Sequence, residues 1–351
     1  LTMAKGGGLA VRPRATLKTL ADHLDLSVTT VSRALKDGEE VKPETIARVK
    51  EAAAKLGYRP NTSGIGLKTG KTYVIALIMP VIKPGEIVGD VGTLPLIEGL
   101  TAALANTPYH LTIIPRRPEQ DDLEPVKYVV EHGLADGLIL NITRSEDERV
   151  KYLNAEGVPF VTFGRTELAI QHPYYDIDNA DFTHRAAQFM IDRGRRRLMM
   201  LTPPREFLYS WHRQVGFKRA LMEAGLEFDE ERQIVIEGNA VDYRALSRSL
   251  AEGDWTPDGY VCGTEISAMG IMAGLHDAGV RVGEDCDVVT METSPLPDYF
   301  RIPISGFHQD LHHVGRKLCQ LLLDAMEHRK PVEQLQVIET AEFINRTDRT
   351  S

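Results

Sequence analysis

The chain has 351 residues, 42% hydrophobic and 26% charged, with a net charge of −9. That length allows two or three domains, and the composition is that of a globular protein, not of a disordered or membrane one. The negative total speaks against nucleic acid only until the chain is divided. Residues 1–70 carry 12 Lys and Arg against 7 Asp and Glu, a balance of +5, and the remainder carries 29 against 43, a balance of −14. A basic head on an acidic body is the asymmetry that a DNA-binding segment would show, although a balance of +5 alone also fits a solvated basic face.

Residues 1–15 read as a flexible arm. They hold no apolar core of a secretory signal. Cys262, Cys286 and Cys319 are scattered and odd in number, without CxxC or Cys/His clustering, so neither zinc nor a disulfide framework is expected. No cofactor is expected. The longest apolar runs, such as Val74–Pro80, are strand-sized and far short of a membrane span. A reducing cytoplasm fits this pattern.

Residues 16–58 read as three short helices. Leu17, Leu20, Ala21 and Leu24 put one apolar stripe on a first helix, which Thr16 is placed to cap. Asp25-Leu26-Ser27 makes a turn, and Ser27 caps a second helix, Val28 to Leu35. Val31, Ala34 and Leu35 face inward on it. Val28, Thr29, Thr30, Ser32 and Arg33 are left free, with the methyl and hydrogen-bonding groups that read base edges in a major groove. A third helix starts at Pro43 and Glu44, runs through Ile46, Val49, Ala53 and Leu56, and stops at Gly57.

Residues 59–72 are polar and rich in Gly, Ser and Thr, the composition of a linker. From residue 73 to 351, strand-like and helix-like runs alternate. YVIALIMP precedes Leu94–Ala105, HLTIIP precedes Pro125–Glu131, and DGLILN precedes Glu146–Ala155 and PFVTFG. RLMMLTP precedes Trp211–Ala224, and GYVCG precedes Glu265–Asp277 and DVVTME. Such alternation implies parallel sheets covered on both faces, and the number of strands implies two α/β lobes. The long loop Val81 to Pro95 after the first strand is a site candidate, because open α/β sheets bind ligands beyond the carboxyl ends of their strands.

The order of head, linker and two-lobed body resembles the LacI/GalR family of bacterial transcription regulators. TLKTLADHLDLSVTTVSRALKDGEEVKPETIARVKEAAAKLGYRPN carries the resemblance most specifically. It implies an all-α helix-turn-helix head plus a two-lobed α/β periplasmic-binding-protein-like (type I) effector domain. It further implies a homodimer on a pseudo-palindromic DNA operator, with base contacts from Val28, Thr29 and Arg33. Thr16, Ser27, Thr30, Ser32 and Asn61 would lie against DNA nearby. In the hinge, Leu67 corresponds to the family's minor-groove wedge, followed by Lys68. Gly64 and Gly66 depart from the family pattern and cost about 2 kcal/mol of helix propensity, so a hinge that orders only on DNA is expected.

The body's resemblance to sugar-binding proteins implies a small carbohydrate effector. Arg213, in Arg213-Gln-Val-Gly-Phe217, matches the family's Arg-x-x-Gly-aromatic motif, whose guanidinium forks onto sugar hydroxyls. Thr264-Glu265 and Glu292 stand where the family has Asn-Asp and Asp. Phe163 and Arg165, and Tyr209 and Trp211, are further ligand candidates. Ser, His and Asp residues form no nucleophile, metal or nucleotide motif, and no enzyme is expected. The readings set against a repressor are an activator or dual regulator, a transport solute-binding protein, and an enzyme on a doubly wound fold.

Overall fold

The structure is a computed structural model and describes residues 15–58, 70–80, 92–236, 238 and 240–347. The chain divides into two compact units, one ending at Thr72 and the other beginning at Tyr73.

The first unit holds α1 (Leu17–Leu24), α2 (Val28–Ala34) and α3 (Pro43–Lys55). Thr16 and Thr19 form a capping box on α1: the Thr19 N–H donates to Thr16 Oγ1 at 3.1 Å, and the Thr16 N–H donates back at 3.2 Å. Asp25 takes a left-handed conformation and closes α1. Ser27 then accepts from the Thr30 N–H at 3.0 Å and starts α2. Leu20, Ala21, Val31, Ala34, Val49, Ala52 and Ala53 form the shared core. Leu56 does not join it. Gly57, at φ +63°, reverses the chain, and the Tyr58 N–H reaches the Ala53 carbonyl, so Tyr58 packs on the core while Leu56 stays exposed.

The second unit is two lobes. The first opens with β1 (Val74–Pro80), α4 (Thr93–Leu104), β2 (His110–Arg116), α5 (Glu124–Glu131), β3 (Gly137–Leu140), α6 (Glu148–Glu156), β4 (Phe160–Phe163) and β5 (Tyr174–Ile177). The second contains α7 (Asn179–Asp192), β6 (Leu198–Thr202), α8 (Leu208–Glu223), α9 (Glu230–Gln233), β7 (Ile234–Ile236), α10 (Ala240–Ala251), β8 (Gly259–Cys262), α11 (Glu265–Asp277), β9 (Asp287–Glu292) and β10 (Ser305–His308). Then α12 (Leu311–Met326) and β11 (Gln336–Glu339) return to the first lobe, and β12 (Glu342–Ile344) to the second.

Among the described residues the sheets run β11-β5-β4-β3-β1-β2 and β12-β10-β9-β8-β6-β7. The pairs are parallel except β10 with β12. Strands buried on both faces need apolar side chains at successive positions. In β1, Ile75 and Leu77 face α4 and α12, while Ala76 and Ile78 face α5 and α6. In β6, Met200 faces α7 and α8, while Met199 and Leu201 face α10 and α11.

The chain crosses between the lobes after β5, after β10 and after β11. Two crossings are tied together where the Asp178 N–H donates to the Glu339 carbonyl at 2.8 Å. The carboxyl ends of β3, β4 and β5 thereby come to face the start of α8, and the space between is the cleft.

Candidate functional site

Two surfaces carry candidate function, one in each unit. On α2, burial of Val31 and Ala34 turns the opposite side outward. Val28 is 45% exposed, so it is not a core residue of the head. Thr29 and Arg33 are exposed, and Thr30 and Ser32 half-buried. Val28, Thr29, Ser32 and Arg33 share one face by the four-residue helical spacing. Arg33 pairs with Glu40 at 3.2 Å, and both side chains are more than half exposed. Such a pair is worth under about 1 kcal/mol and does not hold the guanidinium back from another partner. Thr16 and Ser27 are both occupied as helix caps.

The cleft in the second unit holds a cavity of about 160 Å³. Phe163, Asp176 and Asn141 line it from the first lobe, and Asn179, Tyr209 and Arg213 from the second. Gln309 lines it from the crossing after β10. Tyr209 and Arg213 are one turn apart on α8 and present the same face.

Arg213 is only 7% exposed. Its guanidinium lies 5.2 Å from the Tyr209 ring centre and 5.5 Å from that of Phe182. Its Nε–H donates to Asn179 Oδ1 at 2.9 Å. Among the described residues neither Nη has a hydrogen-bond partner, and the group lines the cavity. A rigid fork with donors left over suits an oxygen-rich ligand.

The motif around Arg213 has a packing reason as well. Gly216 lies where α8 meets α7, and a Cβ there would stand 2.0 Å from the Ala180 carbonyl oxygen. That approach lets Thr183 Oγ1 donate to the Arg213 carbonyl at 2.6 Å. Phe217 fills the core behind.

Arg165 stands behind the cavity wall. Its Nε–H donates to Asp176 Oδ2 at 2.7 Å, and its Nη2 lies 3.3 Å from His212 Nδ1. Burial raises the Asp176 carboxyl above its usual range, against the pull of Arg165. Burial, then the charge of Arg165, lowers His212 from 6.5 to about 4, which keeps it a neutral acceptor. The Arg165–His212 contact joins the lobes. So does Arg144, which pairs with Glu206 at 2.6 Å and sits over the Phe207 ring.

Residues 16–61 match the model for bacterial regulatory proteins of the lacI family, and residues 187–347 match a periplasmic binding protein-like domain. The HTH-type transcriptional regulator AglR of Rhizobium meliloti (strain 1021) is 32% identical over 314 residues, spanning 88% of this chain and 86% of AglR. The chain belongs to the lacI family of bacterial regulatory proteins.

The HTH-type regulator RafR of Escherichia coli is 28% identical over 331 residues, 93% of this chain and 96% of RafR. The regulator CelR, solved as a cellobiose complex, is 25% identical with a TM-score of 0.69, covering 95% of this chain and 99% of CelR. The lac repressor dimer, solved on its operator with the anti-inducer ONPF, has a TM-score of 0.81 at 18% identity over 95% of this chain and 99% of that one. At that identity the likeness shows the fold. This lacI-family chain is a DNA-binding transcription regulator, not an enzyme. Among its described residues no helix is long and apolar enough to cross a membrane.

The cleft of this lacI-family protein gathers Phe163, Tyr209 and Arg213, with Arg165 one residue behind. It does not gather the other four candidates. Trp211 is 50% exposed, two positions from Tyr209 and so on the far side of α8. Thr264 caps α11 with Ser267. Glu265 is buried and accepts the Thr293 and Ser294 N–H groups at 2.6 and 3.0 Å. Glu292 is buried in a two-pronged pair with Arg346 at 3.0 and 3.2 Å. Both carboxylates are consumed in holding the second lobe together. Asn61, Leu67 and Lys68 lie outside the described residues, as do residues 81–91 of the expected loop. Thr93–Pro95 open α4. Asn141, Asp176, Asn179 and Gln309 were not foreseen. Asn141 ends the run DGLILN, and its place beyond a strand's carboxyl end was the available signal.

Proposed function

We propose that this regulator is a homodimeric repressor whose affinity for a pseudo-palindromic operator is set by a small carbohydrate in the cleft. Two copies of α2, with Val28, Thr29 and Arg33 against base edges, read the half-sites. The protein acts in the cytoplasm. The lobes are joined at three crossings and by Arg144–Glu206 and Arg165–His212, so a ligand that prefers the closed cleft biases the lobes, and through them the dimer.

The observation that carries the carbohydrate reading is Arg213, which lines the cavity with neither Nη hydrogen-bonded among the described residues and with an aromatic ring beside its guanidinium. Sugars present paired hydroxyls to such a fork and an apolar face to such a ring. The cellobiose bound by CelR agrees with this class of ligand.

The test is a melting-temperature screen with mono- and disaccharides, sugar phosphates and purines. A ligand at 100 times its Kd stabilises by about 2.7 kcal/mol. A sugar is expected to raise the melting temperature of the wild type and not of Arg213→Lys, and the same sugar is expected to change operator affinity. A shift with purines alone overturns the reading.

A further inference from the structure

The cavity of Arg213 is not the whole cleft. A second one of about 100 Å³ adjoins it, and Asn141 and Ile142 line both. The second is walled by Arg116, Asp122 and Arg144 of the first lobe and by Phe207 of the second. Neither cavity alone reaches the roughly 300 Å³ at which pockets for larger organic ligands begin. Together they approach it.

The second cavity is built for a neutral polar ligand. Arg116 pairs with Asp122 at 2.9 Å, and Arg144 pairs with Asp122 at 2.7 Å and with Glu206 at 2.6 Å. Arg149 pairs with Asp147 at 2.7 Å and also donates to the Asn141 and Ile142 carbonyls. Each guanidinium already faces a carboxylate, so an anion would gain little and would meet Asp122. A hydroxyl both donates and accepts, and can use both members of such a pair. Phe207 supplies an apolar face. At the join, Asn141 is 7% exposed, and its Oδ1 is a buried acceptor with no partner among the described residues. A buried acceptor left empty is unfavourable, and a ligand hydroxyl at that point satisfies it.

We infer that the cleft is a two-compartment site for a disaccharide or similar two-ring glycoside. One ring lies against Arg213 and Tyr209, the other lies between Phe207 and the Arg116–Asp122 pair, and Asn141 receives a hydroxyl near the linkage. This rests on the carbohydrate reading above and narrows it.

Calorimetric titration of the full chain with glucose, galactose, cellobiose, maltose, lactose and melibiose separates the two. At least one disaccharide is expected to bind about tenfold or more tighter than either of its component monosaccharides, which is one step of the affinity scale. Arg116→Met is expected to narrow that ratio. Phe207→Ala is a second variant with the same expectation, should the first fold poorly. A monosaccharide that binds as tightly as every disaccharide overturns the two-ring inference and leaves the carbohydrate reading intact. If no sugar of either size binds, both fall.

Discussion

Arg213 of α8 and Asn179, the first residue of α7, are joined by a 2.9 Å hydrogen bond from Nε to Oδ1. Asn179 directly follows Asp178, which is bonded to Glu339 at the paired crossings. The guanidinium in the cleft is therefore anchored one residue from the joint between the lobes. Removing the anchor without touching the fork is informative. Asn179→Ala is expected to weaken effector binding about tenfold, the worth of one charge-assisted hydrogen bond. Titration calorimetry measures it, and unchanged affinity would show that the aromatic rings alone fix Arg213.

Gly216→Ala is expected to destabilise the protein by about 1–3 kcal/mol, the usual cost of forcing atoms into a packed core. The added carbon would press on the Ala180 carbonyl and on Thr183 Oγ1, 2.5 Å away. Urea denaturation reads the loss, and a variant as stable as the wild type would mean that α7 and α8 separate easily.

In the head, Ser27→Ala and Arg33→Ala should differ in kind. Ser27 is a cap, so its loss costs about 1 kcal/mol of head stability. Arg33 is a surface residue, so its loss should leave melting unchanged. It should instead relax operator discrimination at one base pair by about 1–3 kcal/mol. Fluorescence anisotropy on operator variants decides this. A uniform loss across all sequences would place Arg33 on phosphate.

Glu292 and Arg346 form a buried pair, and Arg346 also donates from Nε to Asp298 at 2.7 Å. Burial raises the Glu292 carboxyl, and Arg346 opposes that rise. Arg346→Met leaves the carboxylate buried without its cation and is expected to cost about 3–5 kcal/mol. Combining it with Glu292→Met should recover much of the loss while keeping sugar affinity. Abolished binding in an otherwise folded double variant would restore Glu292 as a ligand contact.

His212 gives stability a pH dependence. Its folded pKa lies near 4, against 6.5 ordinarily. Between those values the unfolded chain takes up a proton that the folded one refuses. Stability therefore falls as pH drops from 6.5 toward 4, and is fully present above 6.5. A protonated His212 would also face Arg165, loosening a contact between the lobes. His212→Gln should flatten the melting-temperature profile over that window. Imidazole shifts followed by NMR should show a neutral ring at pH 5, and a midpoint near 6.5 would refute the assignment.

The sequence carried the head almost completely, because caps, stripes and stops there are local. Thr16, Ser27, Pro43 and Gly57 each act within four residues of themselves. In the body, β9 and α11 have the bounds that composition indicated, Asp287–Glu292 and Glu265–Asp277. The region 174–192 was not legible. β5 is four residues long, and its acidic Asp176 breaks the apolar run, because it is paired with Arg165 and not with water. The same physics hid the fate of Glu292. Its partner is 54 positions away, and no spacing rule connects them. Arg213, Tyr209 and Phe163 were legible because one motif and two strand and helix ends placed them. Asn179 was not, since its role arises only when two lobes meet.

The three crossings also govern how this chain is made. The first lobe needs α12 and β11, which are synthesised after all of the second lobe but β12, and the second lobe needs β12, synthesised later still. Neither lobe can close while the ribosome is still making residues before 336, although domains often fold as they emerge. A premature stop between β10 and β11 would thus leave two unfinished sheets with open edges, and not one sound lobe and one damaged one.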